Sequence, residues 1–582
     1  MIQDIYDPLS EYANVFHGRF KKVARDTFAQ LAQEAQIDIE TNRATCRQLE
    51  DVQEELEEEE TRLSRQKLLK KVLILVVIIG ILAAIWYVVV KDVNTDFLTL
   101  VGIGAGLYVP VYLLFKHINE QLDELEEKRN CSLKEAKRIE TEAWKQMEPL
   151  NCLYDWDILT RMMTKTVPRL EFDPYFTNQR LEDLKQVYHW NESFNEDRSV
   201  IYSQSGQING NPFIICRTRK MVIGKKAYTG YKTIHWTTEE KGSDGKDHIV
   251  HHTETLEATV VAPYPYYFEK TRLIYGNTAA PDLTFYRQKS QLAGKENTLA
   301  FKLKRRQLRN KARDLKGNDF AMMTNEDFET AFDTSNRNSN QQHALLFTPL
   351  AQESMTKLLK DYSTGYGDDF DFRKMRMINI IISDHLQDID LDLNPQTYMH
   401  YNYNEAEKEF CKINAEYFRA IYFALAPLLC IPMYQQIRSP KDIYGRDMEK
   451  HSSYWEHEAL ANFWGQDRFK HPECVTDCIL KTEQACCRDN DSTITVYAYG
   501  HRREDRLTYV EKLGGDGNYH DVPVYWYEYF PVTGKGTIQI TEDNNSTTDQ
   551  ASSPTERMNS IRHLLDKKQM SLYRRHIASR LA

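Results

Sequence analysis

The sequence predicts an α+β membrane protein, with a two-helix transmembrane hairpin, an antiparallel helical stalk and a β-rich cytoplasmic body. Three observations predict it. Residues 72–90 and 97–115 are two nineteen-residue runs without a charge. Each run, as helix, is about 28 Å long, close to the hydrocarbon thickness of a bilayer. Amphipathic stripes flank both runs, and segments rich in β-branched and aromatic residues begin near residue 199.

Residues 1–71 form the first helical arm. Tyr12, Phe16, Phe20, Val23, Phe28, Leu31 and Ala35 recur at helical steps. The hairpin follows at 72–115, with Lys91, Asp92 and Asp96 in its turn. Arg62, Arg65, Lys67, Lys70 and Lys71 precede the first run, and Lys116 and His117 follow the second. Positive charge stays inside, so both termini are expected in the cytoplasm of a multi-pass inner or plasma membrane protein. Gly80 with Ala84 and Gly102 with Gly106 are small-xxx-small pairs that let helices pack closely. Residues 116–150 form the second arm, whose stripe of Ile118, Leu122, Leu125, Ile139, Ala143 and Met147 suits coiled-coil pairing with the first.

The body begins with a β-rich domain at 151–295. Its histidines His235, His248, His251 and His252 read as strand-surface residues beside a hairpin turn at 241–246. A basic helix is expected at 296–316 and a small α/β unit at 317–400. DIDLDLN (388–394) lacks the glycine and distal glutamate of a calcium loop and reads as an exposed strand. A C-terminal α+β region occupies 401–541, with a buried core helix around 420–433 and a hairpin turn at GGDG (514–517). A linker at 542–553 leads to a basic amphipathic helix at 554–582.

The net charge of −10 excludes a generally basic, nucleic-acid-seeking chain. Local exceptions stand out. Lys302, Lys304, Arg305, Arg306, Arg309, Lys311 and Arg313, with Lys567, Lys568, Arg574 and Arg575, are the candidates for contact with an anionic inner leaflet. The ten cysteines are scattered and read as free thiols of a reducing compartment. His471, Cys474, Cys478 and Cys486 are the candidate metal ligands, although one CxxxC plus a Cys-Cys pair is weaker than paired CxxC knuckles. No Walker loop, GxSxG or HExxH is present. The expected function is a membrane-anchored scaffold or sensor that uses no cofactor and has lipid, a protein partner or a second copy as partners. A metal-dependent enzyme and a nucleic-acid binder are the alternatives.

SVIYSQSGQINGNPFIICRTRK (199–220), ATVVAPYPYYFEKTRLIYGN (258–277), NEDFETAF (325–332) and HALLFTPLAQESMTKLL (343–359) give a further lead. With the two-run plan, they resemble a bacterial two-span membrane family of unknown function, number thirty-one thirty-seven in that series. The resemblance spans roughly residues 5–385. It implies a bacterial membrane protein and supplies neither an activity nor site residues.

Overall fold

The computed structural model describes residues 4–91, 97–241, 247–313, 320–439, 451–488, 490–543 and 553–582. The side chains of 81, 83–85, 87–91, 97–109, 192–193 and 485–488 stand outside that description. Two compact units share the chain. One holds 1–27, 155–394 and 411–582, the other 28–154 and 395–410.

The second unit is built on two long helices, Ile39–Lys91 and Phe97–Asn151. They run antiparallel. Gln66 donates to Gln121 at 3.3 Å, Lys67 pairs with Glu126 at 2.7 Å, and Gln146 donates to Thr45 at 2.9 Å. Leu49, Leu63, Leu122, Ile139, Ala143 and Met147 are buried along the seam, so the apolar stripes are spent on helix pairing. The buried Asn42 fixes residues 400–404 by donating to the Tyr401 carbonyl at 2.9 Å and accepting from the Tyr403 amide at 3.0 Å.

The membrane hairpin is corrected. Among the described residues no helix is long and apolar enough to cross a membrane. The stretches 72–80 and 110–115 adjoin helix rich in charge, from Arg62 to Lys71 before the first and from Lys116 to Arg129 after the second. The multi-pass character and the inner- or plasma-membrane localisation fall with the hairpin. A Cβ on Gly80 would meet nothing within 4 Å, so Gly80 is no packing contact here. Ala84, Gly102 and Gly106 lie outside the described side chains.

The first unit holds two antiparallel sheets. The larger comprises β1 (Leu170–Phe172), β2 (Arg198–Ile208), β3 (Asn211–Lys241), β4 (Asp247–Gly276), β5 (Thr284–Arg287), β6 (Thr334–Ser335), β7 (Phe370–Met375) and β8 (Ile378–Ser383), in the order β1-β2-β3-β4-β8-β7-β5-β6. The smaller comprises β9 (Ile479–Arg488), β10 (Asp491–Leu513), β11 (Tyr519–Glu542), β12 (Leu572–Arg574) and β13 (Ile577–Leu581), in the order β12-β13-β11-β10-β9. The helix Tyr454–Trp464 serves both cores: Trp455 and Ala459 pack with Phe176, Val200 and Ile274, while Leu460 and Ala461 pack with Ile494, Val496 and Ile538.

Three expectations change. The segment 554–582 is not one amphipathic helix. The helix Pro554–Lys568 ends on a left-handed Gln569, and β12 and β13 then join the smaller sheet beside β11. Residues 388–394 form bends rather than a strand; Arg217 holds the turn that leads into them by donating to the carbonyls of Leu386, Gln387 and Ile389. The expected small α/β unit is not separate, since β6, β7 and β8 complete the larger sheet. The turn 242–246 and most of the linker 542–553 lie outside the described residues.

Candidate functional site

The basic helix Leu299–Arg313 is partly neutralised by its own neighbour. Lys304 pairs with Asp333 at 2.7 Å, Arg305 with Asp327 at 2.9 Å, and Arg309 with Glu326. Lys311 lies 4.8 Å from the Phe320 ring. Lys302, Arg306 and Arg313 are exposed. At the C-terminus Lys568 pairs with Asp491 at 2.6 Å, and Lys567 lies in the last turn of its helix. Arg574 and Arg575 are corrected as surface contacts. They are 2% and 5% exposed, so no external anionic surface reaches them. Arg574 meets Asp392 at 2.9 Å, and Arg575 donates to Ser203 and Gln204. Three successive cations, Arg574, Arg575 and His576, thus turn inward as a clasp, with His576 2.6 Å from Asp157.

The metal candidates separate into a pair and two remainders. The Cys474 and Cys478 sulfurs are 3.6 Å apart and buried. His471 uses Nδ1 to accept from the Glu473 amide at 3.2 Å, and the Cys486 side chain lies outside the description. Among the described residues no group of three or more His, Cys, Asp or Glu side chains could hold a metal ion.

Sequence reasoning missed the polar interior around the helix Tyr454–Trp464. Glu456 accepts from the Phe176 amide at 2.9 Å and from Ser203 at 3.0 Å. Glu458 accepts from the Val200 amide at 2.8 Å and from Lys481 at 3.0 Å, yet burial pushes its carboxyl up to about 7. These bonds tie the helix to β2. Ser452 Oγ lies 2.9 Å from His457 Nε2, which invites comparison with a hydrolytic triad. The third member is misplaced: Glu542 accepts from the serine hydroxyl and from its amide, instead of orienting the imidazole. Ser452 and His457 are also 1% and 2% exposed, and burial pushes the imidazole down to about 4. Lys374, down to about 7 by burial, spends its ammonium on the carbonyls of Ala279 and Arg376. Sealed groups with internal partners hold the fold and do not meet a substrate.

An open cleft of about 600 Å³ is lined by Tyr366, His385, Asp388, Asp390, Glu416 and Arg419. Its histidine is not poised as a base. His385 faces Asp369 through Nδ1 and the Ala420 carbonyl through Nε2 at 3.0 Å, so both ring nitrogens are occupied. Tyr366 stacks on the ring at 3.9 Å, and Arg419 caps Tyr366 at 4.5 Å.

A pair of long hairpins forms another exposed feature. β3 pairs with β4 from Phe213–Tyr275 out to Lys241–Asp247, and β10 pairs with β11 from Asp491–Thr541 out to Leu513–Tyr519. In their outer parts the two ribbons stack face to face through Tyr228, Ile234, Leu256, Ala258, Val522 and Val524. Strand alternation then fixes the other face of the second ribbon. Leu507 opposes Tyr525, Tyr509 opposes Pro523, Glu511 opposes Asp521, and Leu513 opposes Tyr519. Tyr509, Tyr519 and Tyr525 are 62%, 71% and 70% exposed. The result is an apolar, tyrosine-rich stripe interrupted by two facing carboxylates.

Compared with known proteins, the chain matches no family model, no curated protein and no solved structure.

Proposed function

We propose that the chain is a protein-binding scaffold. Its stacked hairpins present a docking stripe for a partner segment with apolar side chains on either side of a lysine or arginine. The observation that carries this is the stripe Leu507, Tyr509, Leu513, Tyr519 and Tyr525 with Glu511 opposite Asp521. Like charges directly opposed across two strands destabilise a ribbon, so a cation arriving between them is favoured. Exposed tyrosines supply contact area at low entropic cost, and anchors of this type each contribute on the order of 2 kcal/mol to a protein interface. Ser452, His457, Glu458 and Lys374 are buried and bonded to groups inside the fold, which favours the exposed stripe as the place of recognition.

The test is selection of a random displayed peptide library on the full chain. Enrichment of a basic residue flanked by aromatic or aliphatic residues is expected. Glu511→Lys should remove the basic preference, and Tyr509→Ser with Tyr525→Ser should remove binding. Enrichment that survives both changes, or no enrichment at all, would overturn the reading.

A further inference from the structure

The loop between the helix Tyr454–Trp464 and β9 carries Cys474 and Cys478 to the base of both hairpins. Their sulfurs stand 3.6 Å apart, which is contact distance, about 1.5 Å longer than a disulfide bond. The space for them is made by Gly500 on β10. A Cβ there would lie 2.4 Å from the Cys474 sulfur and 2.8 Å from that of Cys478, so any other residue would push the pair apart. The loop is held firmly around the sulfurs. The Cys478 amide donates to Gln466 at 2.7 Å, the Val475 amide to the His501 carbonyl at 2.9 Å, and the His501 amide to Thr476 Oγ1 at 3.0 Å. Tyr267 of β4 reaches the same Thr476 hydroxyl at 3.1 Å. Thr476 sits midway between the cysteines, so the ring a disulfide would close contains the residue that joins β4 to β10.

We propose that Cys474 and Cys478 are a reversible dithiol–disulfide site, closed by exchange with a small-molecule disulfide such as oxidised glutathione. The Cys474 thiolate attacks one sulfur of the reagent and releases one thiolate. The Cys478 sulfur then attacks Cys474 in the mixed disulfide and releases the second. The protons of both cysteines pass to the two leaving thiolates, so the cysteines lose two electrons and the reagent gains them. Cys474 begins because it is the more exposed of the two, at 6% against 0%. The chemistry asks nothing of His471 or Cys486, and it makes the hairpin base sensitive to the thiol poise of its surroundings.

The test uses the full chain equilibrated with oxidised or reduced glutathione, then acid-quenched, alkylated under denaturing conditions and digested with trypsin. Both cysteines fall in the tryptic peptide 471–481. After oxidised glutathione this peptide is expected unalkylated and lighter by two hydrogens. After reduced glutathione it is expected doubly alkylated. Cys474→Ser should leave Cys478 alkylatable under both conditions, and Gly500→Ala should lower the oxidised fraction. If either variant fails to fold, the wild-type peptide mass decides alone. Double alkylation after oxidised glutathione, a retained glutathione adduct, or a stoichiometric zinc ion that must be removed before oxidation proceeds would each overturn the proposal.

Discussion

The two hairpins share a plan and differ on their outer faces. On the first ribbon the outward residues answer one another: Thr229 and Thr259 hydroxyls are 3.4 Å apart, Thr233 and Thr255 3.2 Å, and His235 lies 2.9 Å from Thr253. On the second ribbon the corresponding rungs are Leu507–Tyr525, Tyr509–Pro523 and Glu511–Asp521, where apolar surface is left in water and two carboxylates face each other. The first face pairs most of its hydroxyls while leaving Tyr231 and Val261 exposed among them; the second adds three exposed tyrosines and a facing pair of carboxylates. Packing therefore resides between the ribbons, and the proposed docking stripe lies on the outside of one of them.

The largest effect comes from breaking the ribbon-to-ribbon contact. A Cβ on Gly230 would lie 2.0 Å from the Pro523 carbonyl oxygen, and backbone cannot yield as a flexible side chain does. Gly230→Val should cost about 3 kcal/mol through overpacking, read as a lower urea midpoint with faster amide exchange on both ribbons. Val524→Ala, which only opens a small cavity in the same seam, should cost about 2 kcal/mol. Equal loss of exchange protection in the two sheets' remaining strands would show that the ribbons do not depend on each other.

A pH-dependent effect should separate the two ribbons at their bases. The clasp His576–Asp157 holds β12 and β13, and β13 pairs with β11 from Ile538–Leu581 to Glu542–Ile577. Burial opposes the imidazolium, but Asp157, with Asp543 and Asp155 behind it, raises the His576 pKa above 6.5. The same contact lowers Asp157 to about 2 against burial. The histidine's contribution is complete below pH 6.5 and is lost as pH rises through the raised folded value. The aspartate's contribution is complete above its unfolded value of 3.8 and is lost as pH falls through about 2. Amide exchange of β11 near Ile540 should thus quicken above neutrality, while β4 near Ile274 stays protected. His576→Gln should flatten the rise.

Much of the secondary structure was legible in the residues, and the reasons it stopped there are physical. The long ribbons follow from β-branched and aromatic alternation, and the helix pair from the stripes of Leu49, Leu63, Leu122 and Ile139. What fails is orientation. In RLTYVEKL, Leu507, Tyr509 and Leu513 alternate with Thr508 and Val510, so both faces carry apolar groups and only packing tells inside from outside. Cations mislead for the same reason: Arg574 and Arg575 read as a surface, and only the fold brings Asp392 and Glu456 to meet them. The apolar runs at 72–90 and 97–115 satisfied a length rule for membranes, and each stands at one end of a long helix, of 53 and 55 residues, whose remainder is rich in charge.

The smallest expected effects are the sharpest check on the difference between the faces. Thr233→Val with Thr255→Val removes both partners of one hydroxyl contact and leaves shape nearly unchanged, so stability should move by no more than about 0.5 kcal/mol. Tyr509→Ser with Tyr525→Ser alters exposed side chains outside the seam and should be similarly mild for folding. The two double variants should part company only in peptide binding, which the threonine variant keeps and the tyrosine variant loses. If both lose it, the outer face of the first ribbon belongs to the docking surface as well. If neither does, the apolar stripe of the second is a solvated face, and the contrast between the ribbons is one of composition without consequence for recognition.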